Sequence, residues 1–499
     1  MLLFNPCLAS DVASAEAISA PDGTLMLVSV LLSLVVIYLA SKVMGELCAR
    51  FNLPAVLGEL LGGVLVGGSI LHLLVFPEGA IAPGELAELA QSSRVMQLLQ
   101  STGGVSAEAL GPLFVSQSEV IEFLSELGVI ILLFEIGLES DLTELLKVGP
   151  QAAAVAVVGV TVPFAIGTLG LLYFFHIPTV AAIFAGAALT ATSIGITARV
   201  LAELQQLSSG EGQIIIGAAV LDDILGIVIL AVVAGLAKTG EVDLANVGII
   251  IVSAVLFLVG AIILGRFLSP YLVSMLDGMQ TRGTFLIPGL IVAFVLGYIG
   301  QILQLEAILG AFAAGLILAE TDKHHEFEEQ IKPISDFLTP IFFVVVGAKT
   351  NLAVLNPFDP NNGEGLIVAS FLVAVAILGK IAAGLGAFGG KKVNRYAIGV
   401  GMIPRGEVGL VFAGVGAASG ALPPALDSAI IVMVIVTTFV APLWLRSAFK
   451  GGAAEPAVLA EGEAPSLDEL KASVVAQDAA AQELEPVEAI AAEAENPGT

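Results

Sequence analysis

Runs of apolar residues, separated by short polar or glycine- and proline-rich stretches, fill almost the whole chain. Thirteen of them read as membrane-crossing helices, because about 20 apolar residues span the hydrocarbon of a bilayer. They centre on residues 24–43, 53–74, 119–138, 150–175, 178–200, 212–237, 244–268, 283–303, 305–320, 333–349, 365–389, 395–419 and 426–446. The ninth and tenth runs are short. A polar insertion, 77–118, separates the second run from the third, and the pattern places it outside the bilayer. The expected organisation is therefore an outer N-terminal segment over 1–23, a transmembrane domain over 24–449 and a cytoplasmic tail over 450–499.

Basic residues orient this pattern. With the N-terminus outside, fourteen of the 19 lysines and arginines fall on the inner side, against only Arg94, Lys238 and Lys349 on the outer side. Inner loops of membrane proteins carry such an excess, which predicts an outer N-terminus and a cytoplasmic C-terminus. Lys380 and Arg405 are the exceptions, lying inside runs.

Composition narrows the class further. Hydrophobic residues make up 57% of the chain, charged residues 13%, and mean hydropathy is +0.98, which excludes an ordinary soluble enzyme. The net charge of −26 is partly an effect of the tail. Residues 451–499 carry eleven acids against one base, Lys471, in an Ala-, Glu- and Pro-rich stretch expected to be disordered. Cys7 and Cys48 flank the first apolar run, so neither a structural disulfide nor a thiolate metal site is expected. Acids at Asp11, Glu16 and Asp22, without a basic stretch, predict no cleavable signal.

Against this background the charges within the runs carry the chemistry. Asp222 and Asp223 sit in the middle of Gly212–Ala237, which holds no other charge. An ionisable group at that depth costs at least a few kcal/mol and points to function. Neighbouring helical residues point about 100° apart, so one acid can pair with a base while the other holds a cation or proton. Lys380 lies at similar depth in its own run. It is ten residues, about 15 Å of helix, from the run's end at Gly390, too far for its side chain to reach the interface, so it should pair with a carboxylate.

Two runs look interrupted near their centres, at Leu189–Thr197 and at Gly399–Glu407. Pro404 and the glycines break helical hydrogen bonds, and clustered hydroxyls satisfy the freed backbone. Interrupted segments in corresponding places of two halves mark an inverted-repeat transporter with its site at the midplane. Thr192 and Ser193 offer hydroxyls or unwound carbonyls to a small hard cation, which prefers oxygen ligands. Arg405 and Glu407 read as support, neutralising each other or the exposed ends of half-helices. Glu59 and Glu135 are further acids within runs, read here as packed, protonated or interface-facing carboxyls rather than carriers. His324 and His325 read as solvated. Redox or resident-metal chemistry lacks His and Cys ligands, so no cofactor is expected.

The segments TATSIGITARV at 190–200, AAVLDDILGIVIL at 218–230, LGK at 378–380 and GMIPRGEVGL at 401–410 resemble bacterial sodium/proton antiporters of the monovalent cation:proton antiporter superfamily, in its tandem-Asp branch. The resemblance runs from about Val28 to Arg446. It implies an all-α, thirteen-helix homodimer with a six-helix core, two crossed interrupted helices and elevator-like movement. It further implies Asp223 as the ion-binding acid for Na+ (and Li+), Asp222 as the partner of Lys380, and Thr192 with Ser193 at the unwound crossing. Two acids are associated with electrogenic exchange and with pH homeostasis across a bacterial inner membrane or an internal energised membrane. Gln205, where relatives often have glycine, and Glu135, where many have an apolar residue, depart from the pattern.

Two other functions compete. A K+/H+ antiporter on the same scaffold differs only in ion size, although potassium-efflux relatives usually carry a nucleotide-binding domain after the last helix. An intramembrane aspartyl protease needs two acids facing each other from separate helices and a Gly-x-Gly-Asp element; neither is present. A purely structural role leaves three midplane charges unexplained. The expected partners are Na+, H+, the lipid bilayer and a second copy of the chain, with no nucleic acid.

Overall fold

A computed structural model describes residues 23–77, 83–103, 106–239, 244–277, 283–303, 305–356, 363–388, 393–418 and 420–450. The N-terminal segment up to residue 22 and the acidic tail from residue 451 lie outside the described residues. Within them the chain is helical throughout, with no strand.

The first part comprises α1 (Gly23–Arg50), α2 (Ala55–Val66), α3 (Pro83–Ser92), α4 (Arg94–Gly103) and α5 (Ala107–Glu139). Next come α6 (Leu142–Tyr173), the half-helices α7 (Thr179–Ala188) and α8 (Ile194–Glu203), and α9 (Gly210–Thr239). The remainder is α10 (Leu244–Asp277), α11 (Leu286–Ile302), α12 (Ala307–Ala319), α13 (His324–Ala348), α14 (Gly363–Ala383), α15 (Arg395–Gly401), α16 (Glu407–Ala418) and α17 (Pro424–Lys450). Seven of these helices are long and apolar enough to cross a membrane on their own, and α2, α7, α11 and α12 are shorter apolar helices.

Some boundaries differ from those the hydropathy pattern predicts. The helix at the third run begins at Ala107, inside the expected insertion, capped by Ser106 accepting from the Ala109 N–H. The tenth run is the apolar part of α13, whose polar first turns extend back to His324. The second run stops being helical at Val66, where the chain turns and the Leu73 and Leu74 N–H groups return to the Val66 carbonyl.

Packing sorts the helices into two groups. Phe114, Phe134, Phe327 and Ile341 belong to a core shared by α1, α5 and α11–α13. Leu171, Phe184, Leu372, Phe412 and Met433 build a second core among α6, α7, α14, α16 and α17. A third cluster, including Leu132, Ile194, Ile215, Phe342 and Ile398, joins them along α5, α8, α9, α13 and α15.

Close approach in the first group depends on reciprocal glycines. A Cβ on Gly63 of α2 would lie 2.2 Å from the Val344 carbonyl oxygen of α13, and one on Gly347 would lie 2.1 Å from that of Leu60. Gly137 of α5 and Gly315 of α12 are related in the same way, at 2.4 Å from Phe312 O and 2.3 Å from Phe134 O. Small residues are the usual means of helix contact where no hydrophobic force separates protein from lipid. The outward surface is apolar: Ile249, Val252, Leu256, Val259 and Ile263 form an exposed stripe of three- and four-residue spacing along α10.

One polar link ties α8 to the first group. Pro54, which precedes α2, supplies no side-chain cap. Glu203 at the end of α8 does so instead, its carboxylate accepting the Ala55 N–H at 2.8 Å and the Val56 N–H at 3.2 Å. Helix starts leave such N–H groups without internal partners, and an anion there is favourable.

Candidate functional site: a crossing of two broken helices

The two interruptions meet in space. The α7 helix ends at Ala188 and α8 begins at Ile194, while α15 ends at Gly401 and α16 begins at Glu407. The non-helical residues between them bond to one another. The Ser193 N–H donates to the Pro404 carbonyl at 2.9 Å, and the Thr192 hydroxyl lies 3.2 Å from the Met402 carbonyl. The Thr197 hydroxyl donates to the Gly401 carbonyl at 3.0 Å. Unwound backbone at membrane depth is tolerated only when buried in protein with its polar groups satisfied. These bonds meet that requirement from two segments roughly two hundred residues apart in sequence.

Arg405 completes the support. It is fully buried, and its guanidinium donates to the carbonyls of Leu189, Thr190 and Ala191, just beyond the C-terminus of α7. Those carbonyls carry the negative end of the half-helix, which a cation neutralises. Thr438 of α17 donates in turn to the Arg405 carbonyl. Pro404 supplies the carbonyl that Ser193 uses and, lacking an N–H, adds no backbone donor of its own at the break. Glu407 starts α16, and its side chain lies outside the described residues.

The acids and the lysine converge on this crossing. Asp222 on α9 and Lys380 on α14 are both completely buried, with Lys380 Nζ 2.7 Å from Asp222 Oδ2. The same oxygen accepts the Thr192 hydroxyl at 2.5 Å. Room for the lysine comes from Gly159 of α6, where a Cβ would lie only 3.4 Å from Nζ. Asp223 points elsewhere on α9 and retains 9% exposure, against 0% for its neighbour. Ser193 is 2% exposed and its hydroxyl has no hydrogen-bond partner.

The residues singled out in the sequence are thus divided by role in the geometry. Asp222, Lys380 and Thr192 form one bonded cluster; Ser193, Pro404 and Arg405 fasten the breaks; Asp223 adjoins both through α9. Sequence reasoning did not find Gly159, Thr197, Thr438 or the Glu203 cap. Thr197 lay inside a quoted motif and could have been read as a backbone-satisfying hydroxyl, but nothing local marked the other three. Chemically, the cluster places one carboxylate against Lys380 and Thr192, with a second, more exposed acid next to it on α9. His324 and His325 stand away from it: His324 faces the Thr321 carbonyl at 3.2 Å and His325 faces Glu328 at 3.3 Å.

Similarity to known proteins agrees with this architecture. A family model described as "Sodium/hydrogen exchanger, transmembrane" matches residues 30–451. The chain is 63% identical over 446 residues to the high-affinity Na(+)/H(+) antiporter NhaS3 of Synechocystis sp., across 89% of this chain and 95% of that protein. It is 30% identical over 417 residues to the Na(+)/H(+)-K(+) antiporter GerN of Bacillus cereus, across 83% and 94% of the two chains. Among solved structures it is similar to the sodium proton antiporter MjNhaP1 of Methanocaldococcus jannaschii, with a TM-score of 0.57 over 86% of this chain and 98% of that one. At 16% identity, that last likeness concerns the fold.

Proposed function

The chain belongs to the sodium/hydrogen exchanger family, and on that footing we propose that it exchanges Na+, and also Li+, for H+ across the membrane. Its helices make it an integral, multi-pass membrane protein, and Na+ and H+ are its cargo rather than cofactors. Asp223 is the carrier: its carboxylate is neutralised in turn by a proton or by a monovalent cation, never both. Asp222 stays with Lys380 and Thr192 and holds the crossing in register.

The observation that carries this reading is the division of labour between the neighbouring acids. Lys380 and Thr192 both go to one oxygen of Asp222, while Asp223 keeps the greater exposure. A buried charge is tolerated when paired and hydrogen-bonded, and is costly otherwise. In this reading Asp223 changes side only when a proton or a cation neutralises it, which couples the two flows. The group built on α6, α7, α14, α16 and α17 moves against the group built on α1, α5 and α11–α13, in the elevator manner. Two acids and a lysine in one cluster support an electrogenic cycle with more than one proton per Na+. A second copy of the chain completes a homodimer, with the N-terminus outside.

A pH-sensitive dye in everted vesicles tests the central claim. Addition of Na+ or Li+ should dissipate an imposed proton gradient, and Asp223→Asn should abolish the response while the protein remains folded. K+/H+ exchange is the second reading, favoured by the K+ in the name of the Bacillus cereus relative. A response to K+ alone would replace the first reading with the second.

A further inference from the structure

Glu135 lies on α5 among the buried residues Ile131, Leu132, Leu133, Phe134 and Ile136. It is 5% exposed, and its Oε2 has no hydrogen-bond partner. The exchange cycle derived above does not use it. Buried polar atoms nearly always find a partner, and an exception calls for a cause.

Its surroundings are oxygen donors. From α13 the hydroxyl of Ser335 faces the carboxyl. Ser335 and Thr339 are buried at 0% and 1% exposure, with their hydroxyl oxygens 3.1 Å apart. Arg199 of α8, Lys332 and Asp336 of α13 and Glu139 one turn along α5 are charged groups that act on it. None forms an ion pair with it among the described residues: Arg199 is engaged with Glu203 at 3.5 Å.

Glu135 also stands on a route. One turn further along α5, Glu139 lines an open cavity of about 680 Å³ together with Asp141, Arg266, Glu320 and His324. In the other direction, Val129 packs on α8 beside the break, where a Cβ on Gly195 would lie 3.3 Å from Val129 Cγ2. Six residues of helix, about 9 Å, separate Val129 from Glu135. Along the axis of α5, Glu135 therefore falls between the residue that lines the cavity and the one that packs beside the break.

We propose that Glu135, Ser335 and Thr339 form a second site for the transported alkali cation, a station between the cavity at Glu139 and the crossing at Ser193. Oxygen-only donors suit a hard monovalent cation. The cation supplies the direct partner that neither Arg199 nor Lys332 gives this carboxylate, since no ion pair joins them to it among the described residues. The proposal rests on the Na+-exchange reading, and the experiment separates the two.

Binding of radiolabelled Na+ to the purified full-length protein tests it. The parent should bind two ions per chain, Asp223→Asn one, and Asp223→Asn with Glu135→Gln none. In vesicles Glu135→Gln should raise the half-saturating Na+ concentration about tenfold with little change in maximal rate, and Glu135→Asp should restore part of the affinity. If Glu135→Gln does not fold, Ser335→Ala with Thr339→Val carries the same expectation. One ion per parent chain with none in Asp223→Asn would overturn the second station while leaving the exchange reading intact. No Na+- or Li+-dependent response from the parent protein in vesicles would overturn the exchange reading itself, and exchange by Asp223→Asn at the parent rate would remove Asp223 as its carrier. An unchanged half-saturating concentration in Glu135→Gln would show a carboxylic acid that merely donates to its neighbouring hydroxyls.

Discussion

Lys380 Nζ stands 2.7 Å from Asp222 Oδ2, with both side chains at 0% exposure. Removing one partner of a buried pair leaves the other uncompensated, a loss of about 3–5 kcal/mol. Lys380→Ala should therefore lower the thermal unfolding temperature markedly in detergent. Lys380→Met combined with Asp222→Asn should recover much of that loss, because neither charge remains. A single variant as stable as the double would show that the pair contributes nothing.

The charge moved per cycle should follow the same lysine. In solid-supported-membrane recordings, Lys380→Ala should alter the transient current at equal Na+ flux. Unaltered current per ion transported would remove Lys380 from the electrogenic step.

Glu203 caps α2 from the far end of α8. Glu203→Ala should cost about 1–2 kcal/mol, the scale of a lost helix cap. Glu203→Gln keeps an acceptor and should lose less than half as much. Thermal unfolding of the three proteins at one pH decides it, and equal stabilities would mean that the carboxylate only decorates the helix end.

Gly63 and Gly149 should respond in opposite senses to alanine. At Gly63 the new Cβ would meet the Val344 backbone oxygen at 2.2 Å, whereas at Gly149 it meets nothing within 4 Å. Gly63→Ala should destabilise by about 1–3 kcal/mol or more, since backbone on both sides must yield. Gly149→Ala, inside α6, should stabilise by about 0.5–1 kcal/mol. Size-exclusion profiles after graded heating would reveal a reversed order.

What the sequence disclosed depended on contrast with its surroundings. Asp222, Asp223 and Lys380 stood out because any charge in an apolar run does, and the breaks because Pro404, the glycines and the clustered hydroxyls occur together. Helix limits were less legible. Ala107, Glu108, Ala109 and Gln117 are good helix formers that give little hydropathy signal, so α5 begins at Ala107 rather than within the apolar run. The same holds for the charged first turns of α13. Gly159 and Glu203 were silent for another reason: each matters through a partner far away in sequence, Lys380 in one case and Ala55 in the other. Local patterns do not encode such distant pairings.

The Ser193–Pro404 backbone bond and the Arg405 contacts to the end of α7 tie together four half-helices drawn from distant parts of the chain. A displacement of one half-helix drags the other three along. Under the proposed exchange the ion's coordination sphere travels as cargo in a sealed crate: its interior need not be rebuilt on each side, and selectivity fixed once at the crossing serves both directions of transport.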